Sequence, residues 1–330
     1  MATYYSEHAQ QLKRDLAREI PVDALRELHR KRPLLHALVA FLNFAALIAS
    51  GIAIVQLDRW YLWLPFAFVA GFAVFNGTVL LHEVVHRAVL EKASERGYRI
   101  LGLLYAIPSG ISSSQFTRWH LDHHAGLGSD EEDPKRHYLS PKINARWLKI
   151  LYFTPALFPI YFRAAAQETK SYEPELQSRI KLERLGSVAF HLSVLGAIAF
   201  FGGWAIAWKL YVVPVFFVFP VAFALNRLGQ HYDIDPADPA KWATLVKGSW
   251  FWDRAFLYSN YHLEHHYFPG VPFYNLPRLQ KLLTPFYEKR GITPHGYGDL
   301  VWGYLVRNHK PHTLWEEQRA VGAPAVSTSE

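Results

Sequence analysis

The chain of 330 residues contains no cysteine. Disulfides, thiolate metal ligands and thiol nucleophiles are therefore excluded together. No period of about 20–50 residues marks tandem repeats. The N-terminal stretch lacks the order of a secretory signal, in which an apolar core soon follows the charges and a small-residue cleavage site follows that. What the chain has in quantity is apolar surface. Hydrophobic residues make up 51% of it and aromatic residues 15%, gathered in long blocks instead of spread as in a soluble protein. A net charge of +7 would suit nucleic acid in a soluble protein. Beside such blocks it fits a basic surface facing anionic lipid, and no nucleic-acid partner is expected.

Four blocks are long enough for a bilayer, which takes about 20 helical residues. They run over residues 34–57, 60–81, 185–208 and 210–228. Asp58 and Arg59 form the turn of the first pair, and Lys209 that of the second. Trp60, Tyr61 and Trp63, and later Trp204, Trp208 and Tyr211, stand where an interfacial aromatic belt belongs. Two weaker stretches, 100–111 and 148–166, are broken by Gly102, Pro108 and Gly110, and by Pro155 and Pro159. They read as re-entrant or interfacial pieces. Residues 1–33 are basic, with Leu12, Leu16, Ile20, Leu25 and Leu28 at roughly helical spacing. This predicts a surface or interfacial helical segment broken near Pro21. Residues 322–330 are rich in Ala, Pro, Ser and Thr and are expected to be disordered.

Of the 35 Lys and Arg residues, only Arg59 and Lys209 fall in the two short turns; the others lie on the opposite side, Arg227 at the very end of the last block on that side. The positive-inside rule makes that side cytoplasmic and puts both termini there. The expected fold is an all-α, integral, multi-pass membrane protein with four spans and a cytoplasmic helical cap.

On that same side lie three histidine clusters: His82-Glu83-Val84-Val85-His86, His120-Leu121-Asp122-His123-His124 and His262-Leu263-Glu264-His265-His266. Helical residues three and four apart share a face. Eight imidazoles exceed the needs of one tetrahedral zinc and suit two adjacent metal ions. Imidazole serves Zn, Cu, Fe and Ni, so ligand type alone does not choose the metal. His231, just past the last apolar block, is a ninth candidate. Asp122 and Glu264 occupy equivalent inner positions and are candidates to hold a ligand's second ring nitrogen. Arg87, Arg118 and Arg254 are basic residues near the clusters that could meet an anionic head group, or serve as ordinary juxtamembrane charge.

A rival reading takes His82, Glu83 and His86 as the helix of an intramembrane zinc metalloprotease, with Glu83 as general base. It leaves six histidines unexplained. A non-catalytic metal-binding membrane protein is a second rival.

The three clusters, in the order HxxxH, HxxHH, HxxHH, resemble the histidine boxes of the integral-membrane fatty acid desaturase/hydroxylase superfamily. Asn260–Pro269 and the following Tyr274-Asn275-Leu276-Pro277 are similar to the third-box region of acyl-lipid and sphingolipid desaturases. The resemblance places a desaturase-like membrane domain over residues 34–321. It implies two non-haem irons, O2 as co-substrate and attack on an unactivated C–H bond of a fatty acyl or other lipid substrate. It also implies that His82, His86, His120, His123, His124, His231, His262, His265 and His266 are the iron ligands. Desaturation is the expected outcome; terminal-alkene formation by decarboxylation, hydroxylation and ketolation are the alternatives within the superfamily. There is no His-Pro-Gly-Gly haem motif, no cysteine for an iron–sulfur cluster and no dinucleotide fingerprint. A separate ferredoxin- or haem-type electron donor is therefore expected.

Overall fold

The computed structural model describes residues 3–141 and 143–310, so the 322–330 tail lies outside the described residues. Three short helices open the chain: α1 (Tyr4–His8), α2 (Gln10–Glu19) and α3 (Val22–Leu28). Pro21 stands between the last two and starts α3, where its missing N–H is no loss. The leucine stripe on these helices is covered by protein, not left for lipid. Leu12, Leu16, Ile20 and Leu28 share one buried core with Leu279, Leu283 and Phe286. Truncating one such core leucine to alanine costs about 2–5 kcal/mol.

The first long helix, α4 (Pro33–Gln56), returns through a three-residue turn as α5 (Trp60–Val85). Both are long and apolar enough to cross a membrane. A buried polar pair holds them in register: Asn43 Nδ2 donates to the Ala73 carbonyl at 3.0 Å, and Asn76 Nδ2 to Asn43 Oδ1 at 3.1 Å. Such pairs replace the hydrophobic drive that lipid does not supply. The weaker stretch at 100–111 is the end of α6 (Glu95–Ala106) and its following turn, packed on α5. Ser112 then caps α7 (Ser113–Gly126), accepting from the Gln115 N–H at 3.1 Å. The stretch at 148–166 divides at Pro155 into α8 (Arg146–Leu151) and α9 (Leu157–Thr169).

A third continuous apolar stretch, Pro174–His231, has the length to cross a membrane. It comprises α10 (Pro174–Ala207), a wide-turned π segment (Trp208–Val218) and α11 (Phe219–His231). It is not straight. Gly203 has φ +78°, in the left-handed region open to glycine, and the two arms fold back on each other there. His191 Nδ1 lies 2.6 Å from the Tyr211 hydroxyl, whereas twenty residues of straight helix would separate them by about 30 Å. The sequence puts this reversal at Lys209, and the structure moves it to Gly203. Lys209 instead donates to the Leu57 carbonyl at 3.0 Å, so the second hairpin meets the first near its turn. The arms also pack on α5, where a Cβ at Gly71 would sit 2.7 Å from the Pro214 carbonyl oxygen.

The cap is completed by α12 (Trp250–Ala255), α13 (His262–Tyr267), α14 (Leu276–Arg290) and α15 (Tyr297–Val301). Among the described residues the only extended pairing is one parallel bridge between Val246 and His295. The fold is all-α, with three apolar stretches long enough to span a membrane and a helical cap over one end.

Candidate metal centre

Each histidine arrives on a helix end that something else holds in place. His82 is on the last turn of α5 and His86 is that helix's C-cap residue. His120, His123 and His124 lie on α7, and His231 ends α11. The six-residue α13 carries the rest and is pinned at both ends. Asp253 accepts from Asn260 Nδ2 at 2.9 Å and from the Tyr261 hydroxyl at 3.0 Å. Glu264 accepts from Gln280 Nε2 at 2.9 Å and from the Tyr287 hydroxyl at 2.7 Å, tying α13 to α14.

The nine imidazoles gather into two groups, His82, His86, His120, His124 and His265 in one, and His123, His231, His262 and His266 in the other. Within each, one ring nitrogen from every histidine lies within 4.8 Å of all the others. Helix geometry explains the division. Positions i and i+4 are about 40° apart around a helix, while i+3 lies to the other side. So the pair His120 and His124 serves the five-histidine group and His123 the four-histidine group. On α13 the roles reverse: His262 and His266 go with His123, and His265 goes with His120.

The contacts inside each group are ring nitrogen to ring nitrogen. In the five-histidine group His120 Nε2 is 2.8 Å from His86 Nε2 and 2.9 Å from His124 Nε2. In the other, His231 Nε2 lies 3.0 Å from both His123 Nε2 and His262 Nε2, and 3.3 Å from His266 Nε2. Tautomers decide what this means. His231 Nδ1 faces the Trp242 carbonyl at 3.0 Å, which can only accept, so the ring proton is on Nδ1. His123 Nδ1 likewise donates to Asp133 Oδ1 at 2.8 Å. Both Nε2 atoms therefore present bare lone pairs to each other, which is repulsive unless a cation lies among them. The donor set fits metal ions, with outer hydrogen bonds fixing ring orientation.

Electrostatics agree. Burial holds His120, His123, His124, His262, His265 and His266 well below the ordinary imidazole value, and neighbouring imidazoles and Lys135 lower them further. They are neutral and able to ligate at neutral pH. Lys135 Nζ is 2.8 Å from His120 Nδ1. Burial pushes its ammonium down from the usual lysine value.

Of the two acids expected beside the histidines, neither contacts an imidazole among the described residues. Asp122 turns outward and pairs with Arg118 at 2.8 Å, one turn back on α7. Glu264 is buried but spent on Gln280 and Tyr287, and burial pushes its carboxyl up to about 7. Besides Glu83, whose Oε1 stands 3.4 Å from His82 Nδ1, the carboxylate beside a site histidine is Asp133, from the loop after α7, 2.8 Å from His123 Nδ1. Its Oδ1 also accepts the backbone N–H groups of Lys135 at 2.9 Å and Arg136 at 3.3 Å. No helical spacing links it to His123, so only the loop's path reveals it. Glu83 accepts the Phe273 N–H at 3.0 Å and is buried. His82 and His86 are grouped with three more histidines and no carboxylate, which does not match a two-histidine, one-carboxylate protease site.

Beside the five-histidine group lies an apolar cavity running down between the long helices. Phe75, Val79, Phe158, Phe219 and Phe223 line it, with His82, His120, His262 and His265 at its head. Two other buried or half-buried histidines are engaged elsewhere: His36 on the Tyr105 hydroxyl, and His191 on Tyr211 and the Ile107 carbonyl.

Comparison with known proteins settles the family. The fatty acid desaturase family model matches residues 58–298. The chain belongs to the fatty acid desaturase family. It is 25% identical to the human sphingolipid delta(4)-desaturase/C4-monooxygenase, over 90% of this chain and 88% of that one. It is 26% identical to the dihydrorhizobitoxine desaturase of Bradyrhizobium elkanii, over 73% of this chain and 72% of the relative. A Drosophila melanogaster sphingolipid delta(4)-desaturase is 24% identical over 70% of each. The protein is thus a membrane oxidoreductase of the desaturase type, and its clustered histidines are able to hold metal ions.

Proposed function

We propose that this desaturase removes two hydrogens from a fatty acyl chain, using two irons held one in each histidine group. The bare, converging Nε2 atoms of His123 and His231 are the observation that carries the reading. Two irons there supply dioxygen activation and the oxidising power for an unactivated C–H bond, which no side chain can provide. The irons are held by His82, His86, His120, His124 and His265 on one side, and by His123, His231, His262 and His266 on the other. Asp133 and the Trp242 carbonyl orient rings of the second group; Phe75, Phe219 and Phe223 position the acyl chain and exclude water.

The electron balance requires a donor. Dioxygen takes four electrons to become two waters, two from the acyl chain and two from outside. A separate ferredoxin- or haem-type protein delivers them at the basic, histidine-bearing face, which the charge distribution makes cytoplasmic along with both termini. In this reading the chain crosses the membrane four times, the turn at Gly203 dividing the third apolar stretch into two crossings. Reconstitution in liposomes with a ferredoxin system and labelled fatty acids tests this. The expected product is two mass units lighter and formed only with oxygen; oxygen-independent product, or peptide cleavage, would overturn it.

A further inference from the structure

Arg227 is a half-buried cation facing a cavity. It lies on α11 one turn before His231, and lines the same cavity as His82, His120, His262 and His265. Among the described residues it makes no hydrogen bond and no ion pair. The carboxylate that most influences it is Asp133, whose Oδ1 is already committed to His123 Nδ1 and two backbone N–H groups. A half-buried guanidinium at the wall of an apolar cavity, without a direct partner, is suited to take an anion there. The imidazoles that share the cavity offer no negative charge, and metal ions among them would add positive charge. The exposed arginines near the histidines are engaged elsewhere: Arg87 on Glu95, Arg118 on Asp122, and Arg254 on the Trp250 carbonyl.

We propose that Arg227 binds the carboxylate of an unesterified fatty acid, which enters the cavity with its head group beside the metal centre. This rests on the oxidase reading above and specifies its substrate. A guanidinium meets a carboxylate through two parallel N–H donors, so one arginine suffices to orient it. The burial of the site and its aromatic walls favour a compact anion over a bulky esterified head group. The apolar remainder of the substrate runs along Phe75, Phe158, Phe219 and Phe223. Arg227 lines the cavity together with His82, His120, His262 and His265. The carbons brought to the histidines are therefore those nearest the carboxyl, not those at mid-chain.

Binding is measured on the full chain in detergent, without turnover, by displacing a fluorescent fatty acid with dodecanoate, dodecanol or methyl dodecanoate at pH 8. The wild type is expected to prefer dodecanoate over the alcohol and the ester by at least tenfold. Arg227→Met should abolish that preference while leaving dodecanol within twofold, and Arg227→Lys should keep part of it. An arginine that merely balances Asp133 would not separate acid from alcohol. If Arg227→Met does not fold, the three ligands on the wild type decide alone: equal affinities overturn the proposal. In turnover, dodecanoate deuterated near the carboxyl should lose label; loss only from mid-chain positions would overturn the head-first orientation. A protein that oxidises nothing yet still prefers dodecanoate contradicts the oxidase reading and leaves the carboxylate site standing.

Discussion

The two histidine groups differ in how they are supported. All four members of the smaller group are buried, and two of them have an outer hydrogen bond from Nδ1, to Asp133 and to the Trp242 carbonyl. In the larger group three of the five members are partly open. Its outer contacts are weaker: His82 Nδ1 stands 3.4 Å from Glu83, and His120 leans on the amine of Lys135. The larger group also supplies three of the four histidines that face the cavity. One group is thus the better supported from behind, and the other supplies most of the histidines that face the cavity.

Breaking the better-supported group should have the largest effect. His123→Ala removes one of only four ligands and should reduce oxidation to background. His86→Ala leaves four histidines in the larger group and should retain measurable activity. Equal losses, read as product per hour, would erase the distinction. Asp133→Asn keeps the shape but weakens the ring orientation of His123, and should cost about 10–100-fold in metal affinity or activity. Competition with a graded chelator reads this directly.

Acidity sharpens the same contrast. Burial holds six of the imidazoles outside the long apolar helices well below their usual value. In the unfolded chain they take up protons below about pH 6.5; in the folded chain they do so only at much lower pH. The unfolded state then binds more protons, so the metal-free fold is fully stable above that point and loses stability as pH falls. Its Tm should drop by several degrees between pH 7 and pH 5. A Tm that is flat or rises would show that the rings are not desolvated as described. Asp122→Asn should have the smallest effect: its carboxylate pairs with Arg118 at the surface, and exposed pairs contribute about 0–1 kcal/mol. Metal content should not change.

Much of this arrangement is legible in the sequence because helical spacing is local. The clusters, their shared faces and the apolar lengths all follow from periods of three to four residues. The reversal at Gly203 is not legible in that way. Apolar residues run on past it, and the polar residue that suggests a turn, Lys209, reaches the Leu57 carbonyl instead. Asp122 and Asp133 show the same limit. The acid with the right helical address points outward, and the acid on an unpatterned loop meets His123. Arg227 sits inside an apolar block, where charge counting by loops overlooks it. The splitting of each HxxHH box between two groups follows from the 40° offset once the helices are placed, but the placement is a tertiary event.

The most direct test of two adjoining histidine-lined metal sites is the metal content of protein purified with iron supplied, read by plasma mass spectrometry. Two irons per chain are expected in the wild type, falling to one in His231→Ala as the four-histidine group empties. A single zinc, or one metal per chain in both proteins, would contradict the account.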